Sequence, residues 1–258
     1  MKSIRNIAVA LSLVVLATFG IGASSGCAES RATDIDPTEK VVKVEKVKPL
    51  PVPEAPAVDE FESNDDLKSE SRNHTGFDKV SIGGAMIATI NAGQSFEVTV
   101  EAKADVLPKV ISKVEDGRLI IKMEKNWWKS MKKKYKRSNV RVTVSLPELK
   151  DVDISGASKA TVAGINNDKL SIDVSGASDV KIEGTARDVE IDLSGASNLR
   201  AGGLYTQIAN MDLSGASRAE INVASSLDVD ASGASSVKYI GEPSVRKDTS
   251  GASSVYKN

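Results

Sequence analysis

From Asp153 onward, apolar and polar residues alternate with a period of two. In "LSIDVSGASDVKIEG", Leu170, Ile172 and Val174 alternate with Ser171 and Asp173, and Val180 and Ile182 then alternate with Asp179, Lys181 and Glu183. The next unit repeats the pattern with Val189, Ile191, Leu193 and then Leu199. Such alternation predicts strands with one buried face. The quartet SGAS recurs between strands, its opening serine falling at Ser155, Ser175, Ser194, Ser214, Ser232 and Ser250, spaced by 20, 19, 20, 18 and 18 residues. A near-constant period of this size is the signature of a solenoid. A strand of about five residues cannot bury its own apolar face, but parallel coils stacked about 4.8 Å apart can build one continuous core from their inward side chains. The pattern therefore predicts an all-β fold, a single parallel β-solenoid with about 18–20 residues per coil in the C-terminal half. Each coil has room for two or three short strands, with Gly164, Gly184 and Gly202 marking a second turn.

SGAS suits the crowded corner of such a coil. Gly156, Gly176, Gly195, Gly215, Gly233 and Gly251 permit backbone angles that other residues resist, and the serines can bond turn backbone or one another. A row of serine nucleophiles is a poor reading of the same motif. A nucleophilic serine needs a positioned base, and the chain has one histidine, His74, for six motifs. Two residues before each motif serine stands an aspartate: Asp153, Asp173, Asp192, Asp212, Asp230 and Asp248. Stacked in register, neighbouring carboxylates repel by about 0.9 kcal/mol even at water's dielectric. Two compensations are open. Asp173, Asp192, Asp212 and Asp230 with the serine hydroxyls form a candidate cation ladder of hard oxygen ligands, with Ca²⁺ as the fitting ion. Alternatively, this is a solvated face neutralised by Lys and Arg of adjacent columns. Paired carboxylates also suit a glycosidase, but here they repeat on every coil.

Before the repeats, strands are expected near Lys79–Ile82, Met86–Ile90, Glu97–Ala102, Leu119–Met123 and Val140–Ser145, and "VLPKVISKVED" reads as a connecting strand or a short helical turn. "VSIGGAM" mimics "DVSGAS", so residues 76–150 read as the irregular start of the same solenoid, with the SGAS repeats over 151–258. "KNWWKSMKKKYKR" holds both tryptophans of the chain, Trp127 and Trp128, with Lys129, Lys132, Lys133, Lys134 and Tyr135. Aromatics among cations suit glycans or anionic surfaces such as lipopolysaccharide phosphates. The same segment also reads as a loop whose tryptophans cover the open end of the core.

Composition narrows the function. The 258 residues carry a net charge of −1, which argues against nucleic-acid binding. Aromatics make up 4% of the chain, so the core must be aliphatic. One cysteine excludes an intrachain disulfide, and one histidine removes most histidine-based catalysis and metal chemistry, leaving no resident cofactor to expect. Residues 1–27 have the form of an export signal: Lys2 and Arg5, an apolar run from Ile7 to Phe19, then small residues. "SSGC" reads as a lipobox that would make Cys27 a lipidated N-terminus, although Ser24 stands where leucine is usual; cleavage after Ala28 is the competing reading. Residues 28–75, rich in Pro, Lys and Glu, read as a disordered tether before a solenoid domain over 76–258, since they bury too little surface to offset their ordering entropy. Ala28 and Glu29 after the cysteine favour the outer membrane over inner-membrane retention.

"FDKVSI", "VEDGRLIIK" and above all "LPELKDVDISGAS" (Leu146 to Ser158), with the SGAS coils behind them, resemble the bacterial family named putative auto-transporter adhesin, head GIN domain. The resemblance spans Gly76 to Asn258. It implies a right-handed parallel β-helix in exported proteins of Bacteroidetes and related bacteria, and it supplies no catalytic residues. The expectation is a non-catalytic cell-envelope lipoprotein, anchored to a membrane by lipid, whose solenoid presents a binding or adhesion surface. The alternatives are a self-assembling homo-oligomeric envelope protein, because "SGASSVYKN" shows no obvious polar cap, and a polysaccharide-acting enzyme.

Overall fold

The computed structural model describes residues 67–127 and 140–258. The chain is almost entirely β-strand there, and its strands join into one hydrogen-bonded assembly. The regular part begins with β8 (Asp151–Gly156) and β9 (Lys159–Val174) and continues through β10 (Asp179–Leu193), β11 (Asn198–Leu213) and β12 (Arg218–Ala231). It ends with β13 (Ser236–Ile240), β14 (Ser244–Thr249) and β15 (Ser254–Lys257). All pairings within this part are parallel. The fold is the parallel β-solenoid that the alternation predicts.

Each long strand is two legs of one coil. The leg after SGAS runs to a bend at Gly164 (φ +79°) or Gly184 (φ +137°), and the second leg leads to the next SGAS corner. Gly202 does not make the equivalent bend with a positive φ; the register there shifts between Ala201 and Tyr205 instead. Inward residues stack in columns. Leu119, Val80, Val152, Ile172, Ile191, Met211 and Val229 follow one another in register, none more than 4% exposed. Each such side chain contributes about 1.5–3 kcal/mol on full burial, so the coils hold together without aromatic anchors.

The N-terminal half joins the same core out of chain order. It comprises β1 (Leu67–Ser71), β2 (Lys79–Gly84), β3 (Met86–Ala92), β4 (Glu97–Lys103), β5 (Val110–Glu115), β6 (Arg118–Met123) and β7 (Val140–Leu146). The β2–β3 coil lies between two later ones: β6 and β7 pair with one side, β8 and β9 with the other. Beyond β6 and β7, the strands β5, β4 and β1 pair antiparallel. The stretch "VLPKVISKVED" is both of its expected forms in succession, a 3₁₀ turn at Leu107–Lys109 followed by β5.

One boundary is corrected. Leu67–Ser71, expected within a disordered tether reaching residue 75, is an edge strand paired with β4 in the register Leu67↔Lys103 to Ser71↔Thr99. Its side chains are mostly exposed, so backbone hydrogen bonds rather than apolar burial hold it. That is why a polar "LKSES" gives no hydrophobic signal. The signal segment, Cys27 and residues 28–66 lie outside the described residues.

Candidate binding surface

The SGAS corner has the same geometry in coil after coil. Gly176, Gly195, Gly215 and Gly233 have φ between +76° and +78°, and a Cβ on any of them would stand 2.3–2.5 Å from the carbonyl oxygen of the glycine one coil earlier. The alanine N–H after each glycine donates to that same carbonyl, as Ala177 does to Gly156 and Ala196 to Gly176, both at 2.7 Å. The last serine of the quartet is buried. Ser178, Ser197, Ser217 and Ser235 each donate from Oγ to the carbonyl of the first serine, at 2.7–2.9 Å. The two serines thus have different work: the second closes the turn, while the hydroxyls of Ser175, Ser194 and Ser214 line an open groove.

The aspartates form the groove's other wall. Asp153, Asp173, Asp192, Asp212, Asp230 and Asp248 are in unbroken register, one per coil, on the outward face. The groove encloses about 560 Å³ and is lined by Asp153, Asp173, Asp192 and Asp212, the three serines, and Arg118 at one end. There, Ser81 Oγ donates to Asp153 at 2.9 Å, and the Arg118 guanidinium holds Asp151 through two bonds of 2.6 and 2.7 Å. Asp173 and Asp192 titrate above the ordinary aspartate range. Partial burial is the main cause, followed by neighbouring carboxylates: Asp192 and Asp153 for Asp173, Asp212 for Asp192.

Charge from an adjacent column reaches the ladder at one end, where Arg118 acts through space on Asp153 and Asp173. Arg118 pairs with Asp151, Arg200 with Asp179 and Arg246 with Asp228, all outside the ladder. Among the described residues, no lysine or arginine forms a direct ion pair with any of the six ladder aspartates. The register places Arg246 directly beside Asp228, while Arg118 reaches Asp151 past Lys79 and Arg200 reaches Asp179 from the neighbouring column. Nor do the carboxylates converge. Among the described residues, no group of three or more His, Cys, Asp or Glu is placed to hold a metal ion. They run in a line, offering acceptors at strand spacing beside free hydroxyls.

Other expected site residues lie elsewhere. Residues 124–139 join β6 to β7, the step that SGAS makes in the later coils. Trp127, half-buried, begins this insertion and donates its N–H to the Glu124 carbonyl at 3.2 Å. Trp128, Lys129, Lys132, Lys133, Lys134 and Tyr135 lie outside the described residues. His74 Nε2 is 2.9 Å from Ser112 Oγ, far in sequence from any SGAS serine. This contact has no sequence signal, because it depends on β5 turning back along β6.

A model of the family described as putative auto-transporter adhesin, head GIN domain, matches residues 76–243. The chain belongs to this family. Membership makes it a putative adhesin and points to an exported or cell-surface protein. No curated protein matched the chain. Among solved structures, a putative adhesin from Bacteroides fragilis is 20% identical, with a TM-score of 0.60 over 74% of this chain and 97% of that one. A putative adhesin from Parabacteroides merdae is 15% identical, with a TM-score of 0.47 over 76% and 97%. A putative lipid binding protein from Parabacteroides distasonis is 15% identical, with a TM-score of 0.43 over 76% and 98%. At such identities the likeness is one of fold, and the Bacteroides fragilis protein carries it.

Proposed function

We propose that this head GIN domain protein is a non-catalytic adhesin of the cell envelope, anchored by lipid at Cys27, that binds hydroxyl-rich glycan chains along its Asp/Ser groove. One observation carries the reading: carboxylate acceptors and unbonded serine hydroxyls repeat together on three successive coils, as Asp173 with Ser175, Asp192 with Ser194 and Asp212 with Ser214, along an open face. A polysaccharide presents donors and acceptors with its own short repeat, so a linear ladder can meet several sugar units at once. Weak contacts then add through multivalency. The non-catalytic part is supported by the repetition: the aspartates follow one another in one unbroken column rather than as a single isolated pair.

The basic-aromatic segment beginning at Trp127 is a second contact, suited to the phosphates of lipopolysaccharide. The anchor holds the protein at the outer membrane, with residues 28–66 as spacer.

The test uses the full chain with Cys27→Ser, assayed on immobilised glycans and lipopolysaccharide with and without Ca²⁺. Binding should fall at least tenfold in Asp192→Asn/Asp212→Asn and be restored by neither salt nor Ca²⁺. Glycan binding that survives this double exchange but is lost on replacing Trp127, Trp128 and Lys132–Lys134 moves the site to the insertion. No binding in any arm removes the glycan reading. Separately, the parent should fractionate with membranes and Cys27→Ser should not.

A further inference from the structure

The coil formed by β14 and β15 breaks the inward columns. Where seven coils place Leu119, Val80, Val152, Ile172, Ile191, Met211 and Val229, this one places Lys247, directly in register with Val229. Thr249 follows the fully buried Ala231, and Lys257 follows Tyr239, which itself follows Ile221. Val245 and Val255 continue their columns and pack on the core as partly buried residues. Three of the five inward positions thus turn polar in a single step, two of them to lysine. Lys257 Nζ is held by Glu242, and Glu242 is itself exposed. Among the described residues, β14 pairs with β12 alone and β15 with β13 alone, so each has an edge of unpaired backbone groups there.

An edge of this kind is a template for another strand. The partner closest to hand is a second copy of the same chain, since its coil has the same leg lengths and the same corner. A two-fold pairing of β14 with its counterpart, inward face to inward face, would bring Lys247 of both copies into the joined core, and across one strand spacing where the pairing centres on position 247. Neither ammonium could keep its water, and among the described residues no carboxylate points inward at this end to receive it; Glu242, which holds Lys257, is exposed. Thr249 would add a buried hydroxyl without a partner.

We propose that Lys247, Thr249 and Lys257 form a cap that keeps a second copy of this chain from stacking on the β14–β15 end. The open edge remains, but the inward lysines make its use costly. The cap accounts for what "SGASSVYKN" conceals: Lys257 looks like a surface lysine until the register assigns it to the inside.

The test compares the full chain with Cys27→Ser and the same chain carrying Lys247→Ile and Lys257→Ile. Sedimenting mass and amide hydrogen exchange are followed from micromolar to millimolar protein. In the parent, the edge amides of β14 and β15 should exchange freely at every concentration. In the double variant, the sedimenting mass should at least double, and the same amides should become protected by tenfold or more as concentration rises. Concentration-dependent protection of β14 and β15 in the parent would overturn the proposal. So would a double variant whose β12 and β13 amides stay protected, as in the parent, while β14 and β15 stay open throughout. Should the double exchange unfold the coil, Lys257→Val alone decides: it leaves β14 intact and should show the same protection on β15, weaker in degree. Its absence counts against the cap.

Discussion

Gly195 lies so close over Gly176 that a methyl group in place of its α-hydrogen would stand 2.4 Å from the Gly176 carbonyl oxygen. The same carbonyl accepts the Ala196 N–H at 2.7 Å, so it cannot withdraw without losing that bond. Two penalties therefore fall on Gly195→Ala: the left-handed φ of +77° and the clash. The first costs about 1–2 kcal/mol and the second about 1–3 kcal/mol. Urea unfolding should show a loss of about 2–5 kcal/mol. Gly76→Ala is the control, because Gly76 has φ +72° but nothing within 4 Å of the added methyl; it should cost about 1–2 kcal/mol, the φ penalty alone. Equal losses at the two sites would mean the corners are not crowded.

The two serines of one quartet should separate. Ser178→Ala removes a buried hydroxyl that bonds the Ser175 carbonyl at 2.9 Å, and should lower stability by about 1 kcal/mol. Ser175→Ala removes a hydroxyl facing the groove and should change stability by less than about 0.5 kcal/mol while weakening glycan binding. Thermal melts of the two variants, read beside their binding, check this; a larger melting loss for Ser175→Ala would reverse the assignment.

The aspartate ladder makes a pH prediction with a definite sign. Asp192 titrates above its ordinary range in the folded protein, chiefly through burial and then through Asp212. The folded state therefore holds this proton more tightly than the unfolded chain. The contribution to stability is present below the unfolded value and lost as pH rises through the folded one. Asp192→Asn should accordingly be more stable than the parent at pH 7, and the difference should shrink to nothing below the ordinary aspartate range. Denaturant midpoints of both proteins between pH 3 and 7 measure it. A variant less stable than the parent at pH 7 would mean that something other than burial and repulsion of the Asp192 carboxylate governs the column.

Among the described residues, Arg118 is the one guanidinium lining the groove. Its two bonds to Asp151 are partly shielded, with 29% and 19% of the two side chains exposed. Arg118→Met leaves Asp151 without its cation and should cost about 1–3 kcal/mol. Arg118→Lys keeps the charge but not the paired geometry, and should recover part of that loss. Equal stability of all three forms by urea unfolding would show the pair to be inert.

Much of this was legible in the residues. Alternation such as that of Leu170, Ile172 and Val174 assigns faces, because successive strand side chains point to opposite sides. Once faces are assigned, a constant period makes parallel stacking the economical way to bury them. The outward position of Asp173 and Asp192 follows from the same parity. The separate tasks of Ser175 and Ser178 were not legible, since both are serines in one turn and only backbone geometry distinguishes them. Nor was β1, whose polar side chains carry no trace of the backbone bonds that hold it.

The sequence by itself determined the coil, its length, its inward and outward faces and its corner, because each of these is a local consequence of residue size, polarity and φ. The tertiary structure decided everything that depends on which coil lies beside which. It placed the β2–β3 coil between later ones and left the ladder aspartates without a direct ion pair while Arg118 took Asp151. Register across strands is a long-range property. It is settled by the fit of whole columns at once, so no window of the chain contains it.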